Sequence, residues 1–146
     1  MPTKPLRLPY QPAETQKTDN PLPLLLLTLN FQRQSVKTIA LLDSGASVNV
    51  LPYSIGLQLG AVWEQQTMIL KLGGNLAAAE ARGLLLSATI TSLEPVRLVF
   101  AWAKSDNLPV ILGQMNFFQT FDICFFGTEM IFEIQPKRRR DELFKT

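Results

Sequence analysis

Apolar residues in this chain come in short runs, and nearly every run ends at turn-forming residues, a pattern of many brief strands rather than a few long helices. Residues 22–31 and 36–42 flank the polar Gln32-Arg33-Gln34-Ser35 and predict a β-hairpin. Residues 48–51 form a third strand stopped by Pro52, and residues 53–59 suit one or two helical turns ending at Gly60. Residues 67–72 lead into Gly73-Gly74-Asn75, a strong turn signal. Residues 76–82 carry Ala77, Ala78, Ala79 and Ala81, so propensity alone makes them helix; an all-β architecture needs them as the return arm of a hairpin, and they are read that way. Residues 84–91 and 96–102 are strands around a turn, and residues 110–112 are a short buried strand. Residues 114–121 read as a helix entered through Gly113, and residues 124–126 and 130–134 as a last hairpin around Gly127-Thr128. Short strands with one short helix near the C-terminus predict an all-β, barrel-like domain without internal repeats.

At 146 residues and 47% hydrophobic composition the chain suits a single domain. The expected division is an extended N-terminal arm over residues 1–20, the folded domain over 21–135 and a basic tail over 136–146. No apolar stretch reaches membrane-span length; the longest, around residues 24–27, lies between Pro23 and the polar Thr28 and Asn30. No leader sequence stands out, so a cytoplasmic location is expected. The net charge of +2 does not mark a nucleic-acid binder, and the run Lys137, Arg138, Arg139 and Arg140 reads as a solvated tail. The lone cysteine, Cys124, cannot form an internal disulfide, and among Ile123, Phe125 and Phe126 it reads as a buried core thiol in a reducing compartment. Phe117, Phe118, Phe121, Trp63 and Trp102 are read as core.

What is absent narrows the chemistry further. The chain has no histidine, which removes Ser-His-Asp and Cys-His catalysis and most zinc sites. It has no phosphate-cradling glycine loop, and neither a metal nor a cofactor is expected. Carboxylate chemistry is what remains. The stretch Ile39-Ala40-Leu41-Leu42-Asp43-Ser44-Gly45-Ala46-Ser47 delivers one acid to the end of an apolar strand. There an ionised carboxylate needs a compensating partner or a raised pKa. Asp-Ser-Gly is also an ordinary turn composition, so this segment alone leaves both readings open. The second informative segment is Val110-Ile111-Leu112-Gly113, an apolar strand that ends in glycine just before the expected helix.

Taken together and in order, Leu41-Leu42-Asp43-Ser44-Gly45-Ala46, the glycine pair Gly73-Gly74 and Ile111-Leu112-Gly113 resemble the retropepsin family of aspartic proteases. The resemblance covers about residues 22 to 135 and implies a single-lobe acid-protease barrel. It implies an endopeptidase acting on peptide or protein substrates, with Asp43 as the catalytic carboxylate and Ser44, Gly45 and Ala46 supporting its loop. Pepsin-like enzymes carry two Asp-Ser/Thr-Gly copies, and this chain carries one, so the implied active species is a twofold homodimer. Two facing carboxylates about 3 Å apart share one proton; the ionised member activates a water and the protonated member polarises the peptide carbonyl. The resemblance further implies a mobile flap with its tip at Gly73, Gly74 and Asn75. It assigns Ser47, Ile111, Leu112 and Gly113 to substrate binding or to packing of the catalytic loop. Retroviral members carry an acid and an arginine where this chain has Ser47 and Gln114, both neutral. A dimeric binding or assembly module that no longer cleaves is therefore the alternative reading.

Overall fold

The computed structural model of the chain describes residues 4–12 and 20–137, so most of the basic tail lies outside the described residues. Among the described residues ten strands are arranged in two sheets: β1 (Leu6–Pro9), β2 (Leu24–Phe31), β3 (Gln34–Leu42), β4 (Asn49–Leu51), β5 (Ile69–Leu70), β6 (Ala81–Thr89), β7 (Val96–Ala103), β8 (Val110–Leu112), β9 (Phe121–Phe126) and β10 (Ile131–Pro136). Helix α1 (Tyr53–Gln58) follows β4, and helix α2 (Phe117–Thr120) follows β8. The larger sheet runs β2-β3-β8-β4-β7-β6-β5, and a further pairing of β2 with β6 closes six of these strands into a barrel. The smaller sheet is β1-β10-β9, in which Leu6–Pro9 lies antiparallel to β10 of its own chain. Among the described residues no helix is long and apolar enough to cross a membrane.

The barrel core is built by alternation that the leucine-rich sequence of β2 conceals. Leu25, Leu27 and Leu29 are 1%, 2% and 0% exposed, whereas Leu26 between them is 60% exposed and faces the equally open Ile39 across the β2–β3 ladder. Leu84, Leu86 and Ala88 of β6 and Leu98, Phe100 and Trp102 of β7 complete the interior. Each large aliphatic or aromatic side chain so buried contributes about 1.5–3 kcal/mol. Trp63 and Trp102 are core, as read from the sequence, and their rings pack edge to face at 5.2 Å with Tyr53 beside both.

Three local expectations need correction. The helix expected over residues 114–121 shrinks to α2, because Met115 pairs in parallel with Val48 and its carbonyl accepts the Asn49 N–H at 3.0 Å, and Phe121 enters the β9–β10 ladder. The hairpin after Gly73-Gly74-Asn75 is also shorter than expected. Only Ile69 and Leu70 pair with β6, opposite Arg82 and Ala81. Ala81 and Arg82 do form the return arm, but residues 77–80 are neither strand nor helix: Leu76, Ala77 and Ala79 close tight turns onto Gly73, Gly74 and Leu76, with Gly74 at φ 59°. Alanine supplies neither the β-branched nor the aromatic bulk that makes a strand worth pairing, and glycine accepts the left-handed backbone that starts the turns.

Cys124 is the third correction. It is exposed, because β9 turns Phe121 and Ile123 toward the core and the intervening positions outward. Folded protein should accordingly release about one equivalent of chromophore per chain with a thiol-specific disulfide reagent, at a rate close to that of a free thiol. Reaction only after denaturant is added would place the thiol inside.

Candidate active site

Asp43 directly follows β3, and its position is set by a parallel pairing between segments far apart in sequence. β3 and β8 align Ala40 with Val110, Leu41 with Ile111 and Leu42 with Leu112. The ladder ends with the Asp43 N–H donating to the Leu112 carbonyl at 3.0 Å. The structure thus brings the Asp43 loop and the Ile111-Leu112-Gly113 strand end side by side. Ile111 and Leu112 are buried, whereas Ser44, Gly45 and Ser47 are exposed and Asp43 and Ala46 are half-buried.

The loop itself is a compact turn. The Gly45 N–H donates to Asp43 Oδ1 at 3.0 Å, and the Ala46 N–H donates to the Asp43 carbonyl at 3.1 Å. The first bond is the compensating partner that an acid at the end of an apolar strand requires. Gln114, one of the neutral departures, ties the loop from the other side: its Nε2 donates to the Ser44 carbonyl at 2.7 Å, and its backbone N–H to the Ala46 carbonyl. Ser47 takes part through its carbonyl, which accepts the Met115 N–H. Gly113 has no room for a side chain, since a Cβ there would sit 2.5 Å from the Val48 carbonyl oxygen and 2.7 Å from that of Ala46. Among the described residues the one salt bridge is Arg7–Glu133, on the smaller sheet, and no cation pairs with Asp43. No cluster of three metal-ligating side chains occurs among them.

Asn49 is a site-forming residue that the sequence reading passed over. It is the buried polar side chain of the described core, at 0% exposure, and it lies between β7, β8 and the start of α2. Its Oδ1 accepts the Gly113 N–H at 2.8 Å; its Nδ2 donates to the Val99 carbonyl at 3.0 Å and to Asn116 Oδ1 at 3.3 Å. A polar residue inside the otherwise apolar residues 48–51 was the available signal.

Two clefts open on the barrel, and neither is lined by Asp43 or its loop. A cleft of ≈ 1010 Å³ runs along the outer face of β2 and β3, lined by Leu24, Leu26, Ile39, Leu41, Leu108 and Pro109, and reaches to within two residues of Asp43. A smaller cleft of ≈ 440 Å³ separates residues 75–80 from Lys104, Ser105, Asn107 and Leu108. Asn75 lines that smaller cleft, and Gly73 and Gly74 have open space where a side chain would project.

No protein-family model and no curated protein sequence matches the chain. Solved structures do. The crystal structure of a retropepsin-like aspartic protease from Rickettsia conorii superposes with a TM-score of 0.62 at 14% sequence identity, covering 90% of this chain and 90% of that one. The EIAV protease in complex with the inhibitor HBY-793 matches at a TM-score of 0.49 and 18% identity, over 68% of this chain and 88% of that one. The closed barrel, the parallel β3–β8 pairing and the likeness to the Rickettsia structure together give the chain a retropepsin-like, single-lobe fold.

Proposed function

We propose that the chain is an aspartic endopeptidase whose active form is a homodimer, with Asp43 of each subunit in one shared site. The observation that carries this reading is a partly exposed carboxylate at the start of a loop braced on both sides by backbone and amide hydrogen bonds, on a retropepsin-like barrel. Such bracing is what a reacting group needs, because catalysis depends on a fixed geometry and not merely on the presence of an acid. One chain supplies one Asp-Ser-Gly loop, so a second copy supplies the other acid. The exposed Ser44 and Gly45 lie where a second loop would approach, with Ser44 bonding to the partner's backbone and Gly45 leaving room for it.

In the paired site the two Asp43 carboxyls hold one proton between them. The ionised carboxylate takes a proton from a bridging water as the water attacks the peptide carbonyl, and the protonated carboxyl donates to the developing oxyanion. The proton then moves to the leaving amine as the C–N bond breaks. The segment around Gly73, Gly74 and Asn75 serves as the flap that closes over bound peptide. Ile111 beside Leu41 lines the floor on which the peptide lies.

The test is digestion of a diverse peptide library from about pH 3 to about pH 8, with sedimentation on the same samples. Cleavage that a statine-type transition-state mimic blocks supports the reading. A dimer that cleaves nothing across this range would leave a retropepsin-like binding module in place of the protease.

A further inference from the structure

A second residue controls the same site from inside the barrel. The peptide unit joining Leu112 to Gly113 is planar, and its two polar ends are both occupied. Its carbonyl accepts the Asp43 N–H at 3.0 Å, and its N–H donates to Asn49 Oδ1 at 2.8 Å. Asn49 is therefore one rigid peptide away from the Asp43 backbone, and any tilt of that peptide moves both bonds together.

The orientation of the Asn49 amide is itself fixed. Val99 offers a carbonyl to Asn49 Nδ2, and Asn116 Oδ1 accepts from Asn49 Nδ2 at 3.3 Å and from the Val99 N–H at 3.0 Å. Asn116 Nδ2 donates in turn to the Arg97 carbonyl at 3.1 Å, which leaves its oxygen as the end that faces Asn49. With every donor and acceptor engaged, the Asn49 oxygen has one direction to point, toward Gly113. A buried side chain so fully satisfied acts as a rigid strut, and its polarised bonds reinforce one another.

We infer that Asn49 is a positioning residue for Asp43, acting through the Leu112–Gly113 peptide and held in its working orientation by Asn116. This assignment rests on the protease reading, and it goes beyond it by placing control of the reacting carboxylate on a side chain that touches neither substrate nor Asp43. Deleting the amide leaves the Gly113 N–H buried without an acceptor and lets the peptide turn. The Asp43 loop then loses its anchor at the N–H while keeping the Gly45 bond to its carboxylate.

The experiment compares wild type, Asn49→Ala, Asn49→Asp and, as a core control, Leu86→Ala, each at a temperature where it is fully folded. Asn49→Ala should lower kcat by at least about tenfold with KM within about twofold, since the chemistry and not the peptide-binding surface is disturbed. Asn49→Asp keeps an oxygen toward Gly113 and, protonated in its buried setting, a donor toward Val99, so it should recover part of kcat at acid pH. Leu86→Ala should leave kcat per folded molecule unchanged. A kcat for Asn49→Ala within about twofold of wild type, or an equal fall in Leu86→Ala, overturns the assignment.

Amide hydrogen exchange separates this inference from the protease reading. If wild type cleaves nothing, the protease reading fails, and exchange alone decides the strut. Faster exchange at the Asp43 and Gly113 amides in Asn49→Ala than in Leu86→Ala upholds it, and equal exchange ends it. Should Asn49→Ala not fold, Asn116→Ala carries the same comparison, because it frees the Asn49 amide without uncovering the Gly113 N–H. No loss of kcat and no faster exchange in that variant would equally overturn the assignment.

Discussion

Asp43→Asn is expected to abolish peptide cleavage while leaving the fold intact. Under the proposed mechanism the change removes the base that activates water and the acid that polarises the carbonyl, because both are the same residue in two subunits. General-base catalysis contributes about 10²–10⁴-fold and stabilisation of an oxyanion about 10²–10³-fold, so a fall of roughly 10⁴-fold or more is expected. The local structure should survive, since an asparagine oxygen still accepts the Gly45 N–H that now reaches Asp43 Oδ1. Thermal unfolding within a few degrees of wild type checks this point.

The same variant tests the dimer. When wild type is mixed with excess Asp43→Asn and the subunits exchange, activity should follow the square of the wild-type fraction, because a mixed dimer lacks one carboxyl. Activity proportional to the wild-type fraction itself would mean that one chain suffices, and the shared site would have to be given up.

How much of this was legible in the residues depends on the kind of physics involved. Turn chemistry placed some strand ends: Pro52 stops β4 at Leu51 as expected, whereas β5, expected to run up to Gly73-Gly74, already stops at Leu70. The junction of β3 with β8 was foreseeable only because two ordered motifs resembled a known fold. No local property of Leu42 or Leu112 announces that they pair in parallel. The face of β2 could not be read at all, since four consecutive leucines carry no alternation; register alone sends Leu25 inward and Leu26 outward. Helix propensity misled over residues 114–121, where pairing of Met115 with Val48, which engages the Met115 carbonyl with the Asn49 N–H, outcompeted the first helical turn. Cys124 was misplaced because an apolar neighbourhood in sequence was taken for an apolar neighbourhood in space, although in a strand the neighbours of a residue point the other way. Asn49 escaped notice because its meaning lies in its partners Val99, Gly113 and Asn116, none of them near it in sequence.

Gly113→Ala should be strongly disruptive. The new Cβ would fall 2.5 Å from the Val48 carbonyl oxygen and 2.7 Å from that of Ala46, and both are backbone atoms that no rotamer change moves aside. The Ala46 oxygen is also accepting the Gln114 N–H, so relief of the clash breaks the bond that ties the loop to the segment just after β8. Overpacking of this kind costs about 1–3 kcal/mol and sometimes more, and each hydrogen bond lost adds about 0.5–1.5 kcal/mol. A total of about 1.5–4.5 kcal/mol is expected, a large share of the roughly 5–15 kcal/mol that holds a domain folded. Gly127→Ala is the control, because nothing lies within 4 Å of its added methyl, and it should change stability by less than about 0.5 kcal/mol. Urea unfolding followed through the buried Trp63 and Trp102 measures both variants. At a temperature where Gly113→Ala remains folded, its cleavage rate should still fall by about 100-fold, as expected when a reacting group is displaced by about 1 Å. The two oxygens that the methyl meets belong to the segment that carries Asp43, so stability and activity should fail together. A Gly113→Ala protein as stable as Gly127→Ala would show that β8 does not press against the Asp43 loop, and the proposed route from Asn49 to Asp43 would lose its middle link.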